Sequence, residues 1–317
     1  MSQPPTAAQR QAVREAARWY ARLASGNPTD SEQALWQRWH DASELHSQAW
    51  QRMQAVTQAM GGLPERLASA TLLGAGNSRR QVLYGLALLL GASSLGTLAW
   101  RSDKRREWAA DYRSGVGERR SVQLADGSQL LLDTDSAVDV QFGPQQRLLV
   151  LRRGRVLIST AGDATTRPFM VDTPHGRVLA LGTRFTVSTA DRHSEVAVLE
   201  KAVQVSVAQA PPVRLHAGQR VVFGPEGIGN VASSDASVAA WRNGSLIAID
   251  LPLGELVAQL SRYRSGILRC DPAVASLKVS GAFPITDTDM ALAALQSGFP
   301  VQVVRRTRYW VTVAAQP

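Results

Sequence analysis

Disulfide stabilisation is excluded from the outset, because the 317 residues contain a single cysteine, Cys270, and an intramolecular bridge needs two. In any compartment this chain relies on packing. Aromatics are few, at 6%, so where they cluster is informative. Of the five histidines, neither His40 nor His46 has Cys or carboxylate neighbours at a zinc-like spacing, and no metal site is expected. There is no Ser-His-Asp arrangement and no paired-carboxylate box. Asp126, Asp133, Asp135 and Asp139 read as turn and solvent-face residues. The chain is therefore expected to have no enzymatic activity, no catalytic residue and no cofactor. The opening MSQPPTAAQRQ lacks the apolar core of a usual signal peptide. Acidic residues are outnumbered, 26 against 35 basic, for a net charge of +9. Much of that excess lies beside one apolar run, which points to lipid headgroups rather than direct nucleic-acid binding.

Long uncharged runs are also scarce, and the exception organises the chain. From Val82 to Trp100 nineteen residues pass without a charge. As a helix they extend about 28 Å, against a hydrocarbon core of about 30 Å. Arg79 and Arg80 precede the run; Arg101, Lys104, Arg105 and Arg106 follow it, with Trp100 at an interfacial position. A single membrane span over residues 78–101 is predicted. The charge count, seven Lys and Arg after the span against three before it, would retain the C-terminal part in the cytoplasm. The Arg79-Arg80 pair directly before a mildly apolar run instead looks like a twin-arginine export signal, which carries a folded passenger across.

Before the span, residues 1–77 read as a small all-α bundle. Val13, Ala16, Ala17, Tyr20 and Leu23 share one face of a helix over residues 7–25. Thr29 and Glu32 form a capping box that starts a second helix, and a third begins near Ser43. A short fourth helix reaches about Leu73. Trp19, Trp36, Trp39 and Trp50 exceed what so small a unit usually buries, so part of the set is expected to form a protein-binding surface. Arg10, Arg14, Arg18 and Arg22, four apart, make a basic stripe.

After the span the period changes to alternation. Short strand-like runs recur through residues 102–235, separated by turn residues such as Asp126-Gly127, Arg153-Gly154 and Pro174-His175-Gly176. This is an all-β domain, either a sandwich or a solenoid-like stack. Residues 236–317 are mixed α+β: strand, helix and strand, then the order repeats and closes with a hairpin over 301–304 and 309–313. The fold class is thus multidomain: helical bundle, transmembrane helix, β domain and a small βαβ-repeat domain.

Three stretches match known patterns. REAARWYARLASGNPTDSEQALWQRWHDASELHSQAW, with its ARWYARL box, Gly-x-Pro-Thr break and Trp-x-x-Trp, resembles the cytoplasmic segment of the FecR family of transmembrane sigma-factor regulators. VQLADGSQLLLDTDSAV, LRRGRVLI and the blocks at 173–178 and 181–187 resemble the periplasmic FecR domain. IDLPLGELVAQLSRYR and VSGAFPITDTDMALAAL resemble the short docking domain shared by secretins and TonB-dependent receptors. The resemblance implies a single-pass inner-membrane protein, N-terminus cytoplasmic and C-terminus periplasmic. It implies an anti-sigma domain in which Trp19, Trp36, Trp39 and Trp50 bind an extracytoplasmic-function sigma factor. It further implies a TonB-dependent outer-membrane receptor whose signalling domain meets the C-terminal module, regulatory proteases, and control of iron-siderophore uptake genes. In some members a Gly-Thr bond of the 181–187 block cleaves itself; here that pair is Gly182-Thr183, for which a role in the fold, as a bulge or positive-φ glycine beside a strand residue, is the favoured reading. The alternative to the regulator is a membrane-anchored periplasmic enzyme or glycan-binding protein.

Overall fold

The computed structural model describes residues 6–24, 29–61, 110–208 and 210–316. The predicted span at 78–101, with Arg79 and Arg80, and the short fourth helix lie outside the described residues. Among the described residues no helix is long and apolar enough to cross a membrane.

Three helices open the chain, α1 (Ala7–Ala24), α2 (Asp30–Asp41) and α3 (Glu44–Gly61). Fully buried Ala16 and Ala17 let α1 approach its neighbours closely. The capping box forms: the Glu32 amide donates to Thr29 Oγ1 at 3.3 Å, and the Thr29 amide to Glu32 Oε2 at 3.0 Å. This satisfies amides that the first helical turn leaves without partners.

The β domain runs through β1 (Tyr112–Arg113), β2 (Arg120–Gln123), β3 (Gln129–Leu132), β4 (Ala137–Phe142) and β5 (Arg147–Ser159). It continues with β6 (Phe169–Thr173), β7 (Gly176–Ala180), β8 (Arg184–Thr189), β9 (Ser194–Glu200) and β10 (Ala202–Ser206). The last members are β11 (Val213–His216), β12 (Gln219–Gly224), β13 (Gly227–Ile228) and β14 (Ala232–Ser233). They form one curled sheet, of order β11-β10-β7-β6-β5-β8-β9-β12-β13, with β1 to β4 and β14 attached at its sides.

The curl turns on β5. Its first half pairs with β4 and, in parallel, with β6; its second half pairs with β3 and β8. Leu149 and Leu151 of the first half and Val156 and Ile158 of the second join a single core with Phe169, Val178, Phe185, Val196 and Val205. The two halves of the sheet therefore close on each other as a sandwich does. Arg153-Gly154, expected as a turn between two strands, is instead a bend within one. A register shift between Ala137 and Val138 leaves Arg152 as the extra residue of a bulge, and Gly154 follows at φ +89.

A 3₁₀ helix (Ala236–Asn243) leads into the C-terminal module, made of β15 (Ser245–Pro252), α4 (Leu253–Ser261), β16 (Ile267–Cys270), α5 (Pro272–Ala275), β17 (Lys278–Pro284), α6 (Thr288–Gly298), β18 (Val301–Thr307) and β19 (Trp310–Ala315). The repeated strand-helix order is present, but β15, β16, β17 and β18 alternate between two sheets. β15 pairs with β17, and β16 pairs with β19, which pairs with β18. The module's core contains Leu157 of β5, and Leu131 and Leu199 of the β domain pack against it. The two regions thus share apolar packing.

The helices rest on the C-terminal module. Ala17 and Met53 form a buried cluster with Ala282, flanked by Tyr20, Ile247 and Ile249. Arg14 Nη1 lies 3.3 Å from Asp250 Oδ2.

A Cβ at Gly154 would stand 2.2 Å from Ser136 Oγ and 2.6 Å from Ser136 Cα, in a backbone region that costs a non-glycine residue about 1–3 kcal/mol. Gly154→Ala is expected to lower the melting temperature of the β domain by about 5 °C or more. Gly143→Ala, where a Cβ meets nothing within 4 Å, should leave it unchanged. Thermal denaturation followed by circular dichroism checks both.

Candidate functional site

The four tryptophans assigned to partner binding come together in one cluster. Trp19 and Trp39 lie 6.5 Å apart between ring centroids, Trp36 and Trp50 5.2 Å, and Tyr20 packs on Trp50 at 6.2 Å. Trp50 is buried at 6% exposure, while Trp19, Trp36 and Trp39 are half-buried. These rings join the three helices to one another. Among the described residues of this unit, Leu35 on α2 is the large apolar side chain that stands open, at 47% exposure.

A polar tie fixes the cluster. Trp39 Nε1 donates to Glu15 Oε2 at 2.7 Å, linking α2 to α1. His46 of α3 stacks on the Trp39 ring at 4.7 Å, and its Nδ1 lies 2.8 Å from the Trp39 carbonyl. The Trp39 hydrogen bond leads the effects that hold the Glu15 carboxyl below the usual glutamate range; burial opposes it, and Gln11, His46 and Arg18 reinforce it. The basic stripe is partly engaged as well, with Arg22 3.0 Å from Glu32 and Arg14 on Asp250.

Gly182-Thr183 lies between β7 and β8. Gly182 has φ +69, which favours glycine for conformational reasons alone. Thr183 is buried. Its hydroxyl donates to the Glu200 carbonyl, its amide donates to Thr160 Oγ1 at 2.9 Å, and its carbonyl accepts from the Thr160 amide at 3.1 Å. These bonds pin the segment to β5 and β9.

A dense polar assembly lies where the β domain and C-terminal module meet. Asp133, just after β3, is fully buried. Its Oδ2 accepts from Arg155 Nε at 2.8 Å, and Tyr263, which follows α4, donates its hydroxyl to the same oxygen at 2.8 Å. Arg155 Nη2 in turn donates to the Tyr263 oxygen at 2.7 Å, and Arg262 stands 3.6 Å from Asp133. The Arg155 guanidinium also sits 5.1 Å from the Trp241 ring centroid, and Arg119 donates to the carbonyls of Trp241 and Arg242. Burial alone would lower Arg155, but the charges of Asp133 and Tyr263 overcome it and hold the guanidinium above its ordinary value. Burial, opposed by Arg155 and aided by Asp133, pushes the Tyr263 phenol up to about 12. At neutral pH it stays a donor. Arg262 is displaced downward by burial and by Arg155.

These residues correct a sequence-based expectation. Asp126 and Asp133 are not solvent-face carboxylates: Asp126 meets the buried Arg147 at 2.8 Å, and Asp133 meets Arg155 and Tyr263. Tyr263 and Arg155 are 108 positions apart in the chain, and no local pattern links them. Among the described residues no group of three or more His, Cys, Asp and Glu is placed to hold a metal ion.

The family model described as FecR protein matches residues 110–204, which hold β1 to β9 and much of β10. A second model, a domain of unknown function (DUF4880), matches residues 14–56, across α1 to α3. Residues 110–204 thus form a FecR domain. Two crystal structures of a candidate anti-sigma factor from Parabacteroides distasonis, at 2.50 and 1.65 Å, superpose with TM-scores of 0.55 and 0.56. Each is 23% identical to this chain and covers 65% of it, and the overlap takes in 98% and 99% of the respective neighbour. At that identity the likeness is one of fold. No curated protein matches the sequence.

Because Glu15 titrates below its unfolded value, it contributes stability that is present above the unfolded glutamate range, near pH 4.3, and is lost as pH falls through the lower folded value. The helical unit is expected to loosen in that acidic window before the β domain does. Glu15→Gln should flatten the response. Tryptophan fluorescence against pH, with far-ultraviolet circular dichroism as the control, measures this.

Proposed function

We propose that this chain is an inner-membrane sigma-factor regulator of the anti-sigma type, its helical unit in the cytoplasm and its β domain and C-terminal module in the periplasm. One observation carries the reading: a DUF4880 helical unit and a FecR β domain occupy one chain, on either side of the uncharged run 82–100. Run length and flanking arginines support the span. Arg79-Arg80 supports export of the C-terminal part in folded form.

In this reading the helical unit binds an extracytoplasmic-function sigma factor. Its tryptophan cluster fixes the relative placement of three short helices, and the half-exposed rims of Trp19, Trp36 and Trp39, with Leu35, form the contact. The C-terminal module receives the signalling domain of a TonB-dependent outer-membrane receptor, and regulatory proteases then free the helical unit with its sigma factor. Iron-siderophore uptake genes are the proposed output. Gly182-Thr183 is assigned to the fold, since its glycine satisfies a positive φ and its threonine is bonded on three sides. No chemical step by the chain is required.

A tagged full chain solubilised from membranes of its native host should bring down one sigma factor in stoichiometric amount. Leu35→Glu, on the open side of α2, should reduce the recovery about tenfold without change in helicity. A well-folded full chain that recovers no sigma factor would contradict the proposal.

A further inference from the structure

β15 and β17 form a sheet of only two strands, an arrangement barely stable in water unless it packs against helices. Leu246, Ala248 and Phe283 join the module's own core with Leu253, Leu256 and Leu292 of α4 and α6. Ile247, Ile249 and Ala282 pack instead against Ala17, Tyr20 and Met53 of α1 and α3. A polar contact sets the register. The pairing of β15 with β17 shifts between Ala248 and Leu251, and Asp250 within the shift has φ +50, uncommon for a residue with a side chain. Its amide donates to Ser280 Oγ at 2.9 Å, and its carboxylate accepts from Arg14 Nη1 at 3.3 and 3.4 Å. The bulge thus presents an acid to the basic face of α1, and the apolar patches beside it match.

A chain that crosses the membrane between residues 61 and 110 cannot keep this contact within one molecule. We propose that α1 and α3 close over the Ile247, Ile249 and Ala282 face of their own C-terminal module while both share the cytoplasm, and that export of the module breaks the closure. This rests on the topology proposed above. The closed chain masks part of α1 and α3 together with the outer face of β15 and β17, so a molecule not yet in the membrane offers neither surface in full. Insertion separates the two surfaces and exposes both, one to each compartment. A twin-arginine route, which moves folded passengers, leaves time for the closure to form.

The test replaces Cys270 by Ser and places cysteines at Ala17 and Ala282 of the full chain. Chain made in a membrane-free translation system is compared, under mild oxidation, with chain in inner-membrane vesicles from cells. An intramolecular crosslink is expected in the first and its loss in the second. Asp250→Arg should diminish the crosslink, and Arg14→Asp added to it should restore the crosslink; this exchange keeps the apolar patch intact, whereas Ile249→Glu could disturb the module itself. Absence of the crosslink in membrane-free chain whose β domain resists protease would overturn the closure and leave the sigma-regulator reading standing. A crosslink of equal yield in both samples would overturn the exclusion of closure by export, and with it the proposed topology. Crosslinked dimers would assign the face to a second copy and overturn closure within one chain.

Discussion

The buried carboxylate of Asp133 is the interaction on which the arrangement of the β domain and the C-terminal module depends. Removing a carboxylate from water is costly unless every oxygen finds a donor. Here Arg155 comes from the bent strand of the curled sheet and Tyr263 from the segment behind α4, so the compensation requires both regions in place together. Loss of one partner of such a buried pair typically costs about 3–5 kcal/mol, because a charge is left stranded. Around this polar centre Trp241 is 1% exposed and Leu157 belongs to the module's core. The polar bonds fix orientation, while the apolar surface buried around them supplies most of the adhesion. A force or partner acting on the C-terminal module therefore acts on the curled sheet as well, which suits a relay whose receiving surface and membrane-proximal end are far apart in sequence.

The helical unit follows a different logic. It has a small core in which aromatic rings replace the volume that longer helices would supply, and α2 contains no buried residue at all. Trp39 contributes to cohesion twice, through its ring on His46 and its Nε1 on Glu15. A unit assembled in this way holds its outer surface in register at small size, and its stability depends on few contacts. That combination is consistent with an element that yields its partner when it is cut free.

Local signals in the sequence were strong where local physics decides the outcome. The Thr29-Glu32 capping box, the face of α1 set by Ala16 and Ala17, and the strand-like runs at β8 and β9 are each short-range patterns, and each element forms. The resemblance to FecR proteins is carried by the same kind of contiguous motif. What was not legible depends on pairing across distance. Gly154 looks like a turn residue until β5 is followed through its bulge at Arg152 opposite β4, and Asp133 looks solvated until Tyr263 arrives from a distant segment. The helical repeat of the last eighty residues was visible, yet its strands sort into two sheets, because β16 finds a parallel neighbour in β19 rather than in β15. The number of tryptophans in so short a unit already assigns two or three of them to its core, but which rings pair, Trp19 with Trp39 and Trp36 with Trp50, depends on how the helices meet.

The mechanical unity of the β domain and C-terminal module is the claim on which the proposed relay rests, and native-state hydrogen exchange tests it directly. The slowest amides of β5 should open with the same free energy as the slowest amides of α4 and β17, since one cooperative unit opens as a whole. Amides of the C-terminal module exchanging at a distinctly lower free energy than those of β5 would show that the two regions open independently, and would contradict the account.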